Sequence, residues 1–297
     1  MPASTVEELV PFVELVRKLD PKHPPLLLYN KMDAARKAVE LFKPEVISTD
    51  IYPLGRDARC APDNVPAAKA LYRRFCRTYY EIARSGGAAL WVIAQGQGSE
   101  QMYLEGAPYF GWMGGYHTPN PTFCSWQAWA AIQEGATGVF FYHYYGPRGE
   151  KLDWDNKAYE YTLRTETWHE TVQLKAIGDC FAQIERAAPY LLKVEKEEGA
   201  VQIASSDTEV SLAPFRPRPG LGEVLVVVAL NDNTTDRRKF QLMHTRGKEA
   251  VVWDLALGED VTEANGKGEL LLPAGTGRVL AVGTAAEVAK FRAAGGS

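Results

Sequence analysis

Three carboxylates stand where acid–base chemistry could be done. Asp50 closes the run Val46-Ile47-Ser48-Thr49. Glu100 and Glu105 lie in the loop after Ala89-Leu90-Trp91-Val92-Ile93-Ala94. Groups suited to holding a polar ligand gather near them: Tyr52, then Gln95 where the second run stops, Trp112, Tyr116 and His117 in the loop, and His143 and Tyr144 after Gly138-Val139-Phe140-Phe141-Tyr142. A positioned carboxyl can give or take a proton, and an amide offers both donor and acceptor. Between Tyr103 and Tyr145 fall 13 of the 32 Phe, Trp and Tyr residues, in 43 of 297 positions. An even spread would give about 5, so the segment is biased towards flat apolar faces, which suit a ligand such as a sugar ring. Each residue also has an ordinary reading. Glu100 and Glu105 fit solvated loop charges, Asp50 a loop-capping carboxylate, Gln95 a strand-closing amide and His143 a satisfied core histidine. Trp126 and Trp129 sit at helical spacing and read as packing.

The elements that must position these groups alternate between helix and strand. Phe12, Leu15, Val16 and Leu19 form a helical stripe with Pro11 in a first turn. Leu26 to Tyr29 is the first strand, Met32 to Phe42 a helix stopped before Pro44, and Val46 to Tyr52 the second strand. Pro66 opens a helix whose seam is Leu71, Phe75, Tyr79 and Ile82, closed by Ser85-Gly86-Gly87. After the strand from Ala89, Pro121 to Glu134 is a helix ended by Gly135, and the fourth strand runs from Gly138 to His143. Trp168, Val172, Ala176, Cys180, Ile184, Ala187 and Leu191 mark a long helix. Near-continuous apolar strands between helices imply a parallel sheet. The pattern changes after Leu192. Residues 1–192 form the helix–strand domain, 193–199 a charged linker, and 200–284 an antiparallel β-sandwich of short β-branched runs split by turns such as Asn265-Gly266. Residues 285–297 read as a frayed tail.

Composition excludes several functions. The formal charge of −4 argues against nucleic acid as the main partner, and Arg73, Arg74 and Arg77 fit a solvated helix face. No apolar run reaches the ~18 residues of a membrane span, and the first residues lack a signal-peptide pattern. Cys60, Cys76, Cys124 and Cys180 are scattered, without metal-ligand spacing. The Gly96-x-Gly98 pair is followed by Gln101, which breaks the dinucleotide fingerprint. There is no phosphate loop and no Gly-x-Ser-x-Gly elbow. No cofactor and no metal are expected, and the compartment stays open.

The order Asp20-Pro21 with His23-Pro24, Asp50-Ile51-Tyr52-Pro53, Trp91-Val92-Ile93-Ala94-Gln95, Trp126-Gln127-Ala128-Trp129 and Gly135-Ala136-Thr137-Gly138 resembles the C-terminal half of a (β/α)8-barrel glycoside hydrolase. The group is the broad one that includes family 42 and family 2 β-galactosidase-like proteins, with a β-sandwich after the barrel. The resemblance covers roughly residues 10 to 190, and the sandwich loosely. It implies half of a TIM-type barrel, strands five to eight, and a carbohydrate ligand. Asp50, Glu100 and Glu105 are then the carboxylates left for catalysis, and Tyr52, Gln95, Trp112, Tyr116, His117, His143 and Tyr144 the ligand contacts. Two departures count against hydrolysis within this chain: the strand of the acid/base glutamate is missing, and Gln95 occupies the nucleophile position, where an amide cannot form a glycosyl ester. A non-catalytic carbohydrate-binding protein therefore stands beside the hydrolase, as does an assembly module pairing through its sheet edge. The edge strand Leu26 to Tyr29 needs a cover: a missing N-terminal half, a second copy in a homodimer or the N-terminal helix folded across it.

Overall fold

The computed structural model describes residues 3–55, 65–96, 117–142, 172–197, 199, 202–262 and 268–295. The chain divides into two compact units, one of residues 1–119 and 134–174, the other of residues 120–133 and 175–297. This division differs from a cut near residue 192, because two helices of the first two thirds group with the later strands.

The first unit holds helices α1 (Ala3–Leu19), α2 (Met32–Phe42) and α3 (Val65–Ser85). Its sheet has strands β1 (Val46–Ile51), β2 (Ala89–Gln95) and β3 (Gly138–Tyr142), parallel and in that order. The expected first strand is a single parallel bridge, Leu28 to Ser48. Pro24 and Pro25 just before it bring no backbone donors, so no longer ladder forms there. Register fixes which residues share a face: Ser48, Trp91 and Gly138 align, then Asp50, Ile93 and Phe140, then Gln95 and Tyr142. Side chains alternate along a strand, so these all stand on one face. The opposite face carries Ile47, Thr49, Leu90, Val92 and Ala94, all buried, and α3 packs against β1 and β2.

The seam of α3 matches the expected one at Tyr79 and Ile82, both buried, and lies one position away from it in the first half of the helix. Ala68, Tyr72, Cys76, Tyr79 and Ala83 are buried, whereas Leu71 and Phe75 are half-buried. Two of the arginines read as a solvated face are also engaged. Arg77 donates to Glu134 at 3.0 and 3.1 Å and Arg73 at 3.4 Å, and Glu134 is buried. Only burial of the carboxylate distinguishes this from a surface pattern, and sequence carries no sign of it. Next to Glu134, Gly135 has φ +100°, and a Cβ there would lie 2.4 Å from the Tyr80 ring. Both conformation and space demand glycine.

The second unit holds α4 (Pro121–Gln133) and most of α5 (Val172–Leu191). A six-stranded antiparallel sheet contains β4 (Val194–Lys196), β6 (Val210–Pro217), β7 (Leu225–Asn231), β9 (Val251–Asp254), β10 (Glu259–Asp260) and β12 (Gly277–Gly283). A three-stranded antiparallel sheet contains β5 (Ile203–Ser205), β8 (Arg238–His244) and β11 (Gly268–Leu272). One apolar core draws on both sheets, with Val227 and Leu280 from the larger and Phe240 and Leu270 from the smaller. Helix α4 is buried from Phe123 to Gln133, as an all-round apolar helix must be. It lies on β7, where Gln133 donates to the Val228 carbonyl at 2.9 Å. That explains why β7 is apolar throughout rather than alternating.

Two expectations fail here. Within the charged linker, β4 pairs with β6. The residues read as a frayed tail include helix α6 (Ala285–Gly295), with Val288 and Phe291 buried. A capping box starts it: the Thr284 N–H donates to Glu287 at 2.7 Å, and the Glu287 N–H donates to Thr284 Oγ1 at 3.3 Å.

Candidate functional site

Asp50 is the only carboxylate that the three strands place on the open face of the parallel sheet. Its side chain is half-buried there. Burial holds its carboxyl above the ordinary aspartate value, while a backbone hydrogen bond and the Tyr52 hydroxyl pull it part of the way back. A carboxyl held up by desolvation beside a phenol is a competent proton donor and acceptor.

Two pairs of aromatic rings lie on or beside the same face. Tyr52 and Tyr142 lie 5.9 Å apart at 31°, and Trp91 and Phe140 lie 5.4 Å apart at 52°. Exposure increases towards β3: Ser48 is buried, Trp91 and Ile93 are half-buried, and Phe140 and Tyr142 reach 46% and 37%. Gly138 makes room for this arrangement, since a Cβ there would sit 2.6 Å from the Trp91 ring. The result is a shallow aromatic surface with a carboxyl and hydroxyls beside it. Such a surface can stack on a flat apolar face and bond to hydroxyl groups.

Gln95 is bonded to the backbone. It is fully buried. Its Oε1 accepts from the Leu54 N–H at 2.9 Å, and its Nε2 donates to the Leu54 carbonyl at 3.1 Å and the His117 carbonyl at 2.9 Å. These bonds tie together the segments following β1 and preceding α4. His117 takes part through its backbone: its carbonyl accepts from Gln95 and its N–H donates to Leu54 O at 3.1 Å.

Of the expected site residues, the structure thus brings Asp50 and Tyr52 to one surface and bonds Gln95 to the backbone of Leu54 and His117. Glu100, Glu105, Trp112, Tyr116, His143 and Tyr144 lie outside the described residues. Part of the aromatic bias has another explanation: Phe123, Trp126 and Trp129 are buried in the second unit. Trp91, Phe140 and Tyr142 were not expected at the site. Their signal was parity, because once Asp50 aligns with Ile93 and Phe140, every second residue on each strand faces the same way. Among the described residues, no group of three or more His, Cys, Asp or Glu side chains could hold a metal ion. No helix among them is long and apolar enough to cross a membrane.

Neither a protein-family model nor a curated protein matches this chain. Solved structures do, all at low identity. A glycoside hydrolase family 5 protein from Bacteroides vulgatus is 11% identical with a TM-score of 0.50, over 95% of this chain and 66% of that one. An α-amylase from Anoxybacillus is 12% identical with a TM-score of 0.40, over 85% of this chain and 55% of that one. A family 5 mannosidase from Rhizomucor miehei is 15% identical with a TM-score of 0.40, over 63% and 49%. The first of these carries the fold statement: the chain has a mixed α/β fold like that of a glycoside hydrolase. It spans about half to two thirds of the length of these structures.

Proposed function

We propose that this chain is a glycoside hydrolase-like protein that engages a carbohydrate on the open face of its parallel sheet. On this reading β1 to β3 and the Leu28 bridge are strands five to eight of a (β/α)8 barrel, and the two antiparallel sheets are the sandwich after it. A strand from the barrel's other half or from a second copy completes the edge at Leu28. The observation that carries the reading is the half-buried Asp50 carboxyl beside Tyr52, on the sheet face that also carries Trp91, Phe140 and Tyr142. The glycoside hydrolase likeness of the fold supports it, but fold alone would not assign a ligand. Asp50 is the proton-transfer group, and the rings are the stacking platform.

A specific observation favours a second reading, binding without hydrolysis. Glycoside hydrolysis uses two carboxyl groups about 5 to 10 Å apart, and Gln95 fills the expected nucleophile position with its amide spent on backbone groups. Calorimetry with neutral oligosaccharides and turnover of aryl glycosides separate the two. Turnover lost in Asp50→Asn supports the hydrolase. Binding weakened at least about tenfold by Tyr142→Ala, without turnover, supports the binder. Absence of both overturns the proposal.

A further inference from the structure

Helix α1 carries an apolar stripe that its own unit leaves uncovered. Phe12, Leu15, Val16 and Leu19 are exposed at 64, 51, 42 and 74%. The spacing is that of a helix–helix seam: Glu8, Phe12, Leu15, Leu19 and Lys22 follow one another at steps of four, three, four and three. The other side of the helix is anchored. The Arg17 guanidinium donates to the Phe42 carbonyl at 2.8 Å, the Lys43 carbonyl at 3.1 Å and Glu45 at 2.9 Å, and Lys37 pairs with Glu7 at 3.1 Å. These bonds fix α1 to the end of α2, and Val6 and Val13 are buried. The stripe is therefore presented outward by a fixed helix.

The ends of the seam are oppositely charged, and both are exposed. Glu8 lies one turn before Phe12, and Lys22 sits in the turn just past Leu19. We propose that α1 pairs antiparallel with α1 of a second copy, centred on Leu15. That two-fold arrangement sets Phe12 against Leu19 of the other copy and Glu8 beside Lys22, twice over. A parallel pairing would set Glu8 against Glu8 and Lys22 against Lys22. An anionic membrane surface is disfavoured by Glu7, Glu8 and Glu14, all exposed on the same helix. A two-fold contact must be self-complementary, and this seam is. It is independent of the carbohydrate reading, which concerns the sheet.

Four apolar side chains a copy make a small interface, so the dimer is weak and depends on concentration. Analytical ultracentrifugation of the full chain across micromolar to sub-millimolar concentrations tests it. The expected result is a rise in mass from one chain to two. Leu15→Glu, which places two carboxylates at the two-fold centre, keeps the protein monomeric with an unchanged circular dichroism spectrum. Glu8→Lys and Lys22→Glu each weaken the dimer roughly fivefold, and the double reversal restores it. A wild-type monomer throughout, a dimer indifferent to Leu15→Glu, or a monomer that instead binds anionic vesicles overturns the proposal.

Discussion

At the scale of the residue, Asp50 and Gln95 illustrate two fates of a polar group at the end of a parallel strand. Asp50 holds its proton more tightly folded than unfolded. Its effect on stability is therefore complete below the ordinary value of 3.8 and is lost as the pH rises through the interval up to its raised value. Asp50→Asn removes that loss, so thermal denaturation from pH 3 to 8 should show a higher relative melting temperature for the variant at the neutral end. Equal pH profiles for the two proteins would contradict the burial of the carboxyl. Gln95 is instead fully buried and bonded to backbone groups. Gln95→Glu would replace a donor to two carbonyls with an acceptor facing them. The expected outcome is a loss of at least about 2 kcal/mol in urea denaturation, with no gain of hydrolysis. Hydrolysis gained by that variant would show that the glutamate can act where the amide now only braces.

At the scale of the element, what sequence revealed depended on whether the signal was local. The strands β1, β2 and β3 were plain as apolar runs, and Gly135 as a helix stop. The α3 seam was legible at Tyr79 and Ile82, but in the first half of the helix Tyr72 and Cys76 pack inward while looking less apolar than Leu71 and Phe75. The capping box at Thr284 and Glu287 was legible and overlooked: Thr-x-x-Glu before an apolar pair is a helix start. Thr284→Ala should cost about 1 kcal/mol of the second unit's stability, read by chemical denaturation. No change would mean that α6 is held by packing alone. The lowered carboxyl of Glu287, due first to the Thr284 N–H, adds stability above the ordinary 4.5 that is lost as pH falls below it. Close approach was not legible at all. Gly275 has φ +64°, and a Cβ there would lie 2.2 Å from the Thr122 carbonyl, so Gly275→Ala should destabilise by about 2 kcal/mol or more. A neutral substitution would mean that α4 and the turn before β12 are farther apart than they stand here.

At the scale of the whole molecule, the chain order and the contact order disagree. Helices α4 and α5 come from the alternating part of the sequence, yet α4 packs on the antiparallel strand β7 and α5 meets α4 and α6. Trp126 donates to Asp232 at 2.7 Å, and Cys180 lies against the Ser125 carbonyl at 3.8 Å. Composition marked the change of texture near Leu192 but not this grouping, because the largely apolar, uncharged surface of α4 says that it is buried without saying by what. Burial pushes the Cys180 thiol up to about 12 and raises Cys124 further. Both thiols should resist a thiol reagent at neutral pH until the second unit unfolds. Rapid modification of the native protein would refute their burial.

The decisive measurement concerns the open sheet face. Neutral oligosaccharides should be titrated into isotope-labelled protein while the backbone and aromatic resonances are followed. The expected result is saturable shifts centred on Asp50, Tyr52, Trp91, Phe140 and Tyr142. Saturable shifts confined to other residues, or none with any saccharide, would contradict a carbohydrate surface on this sheet.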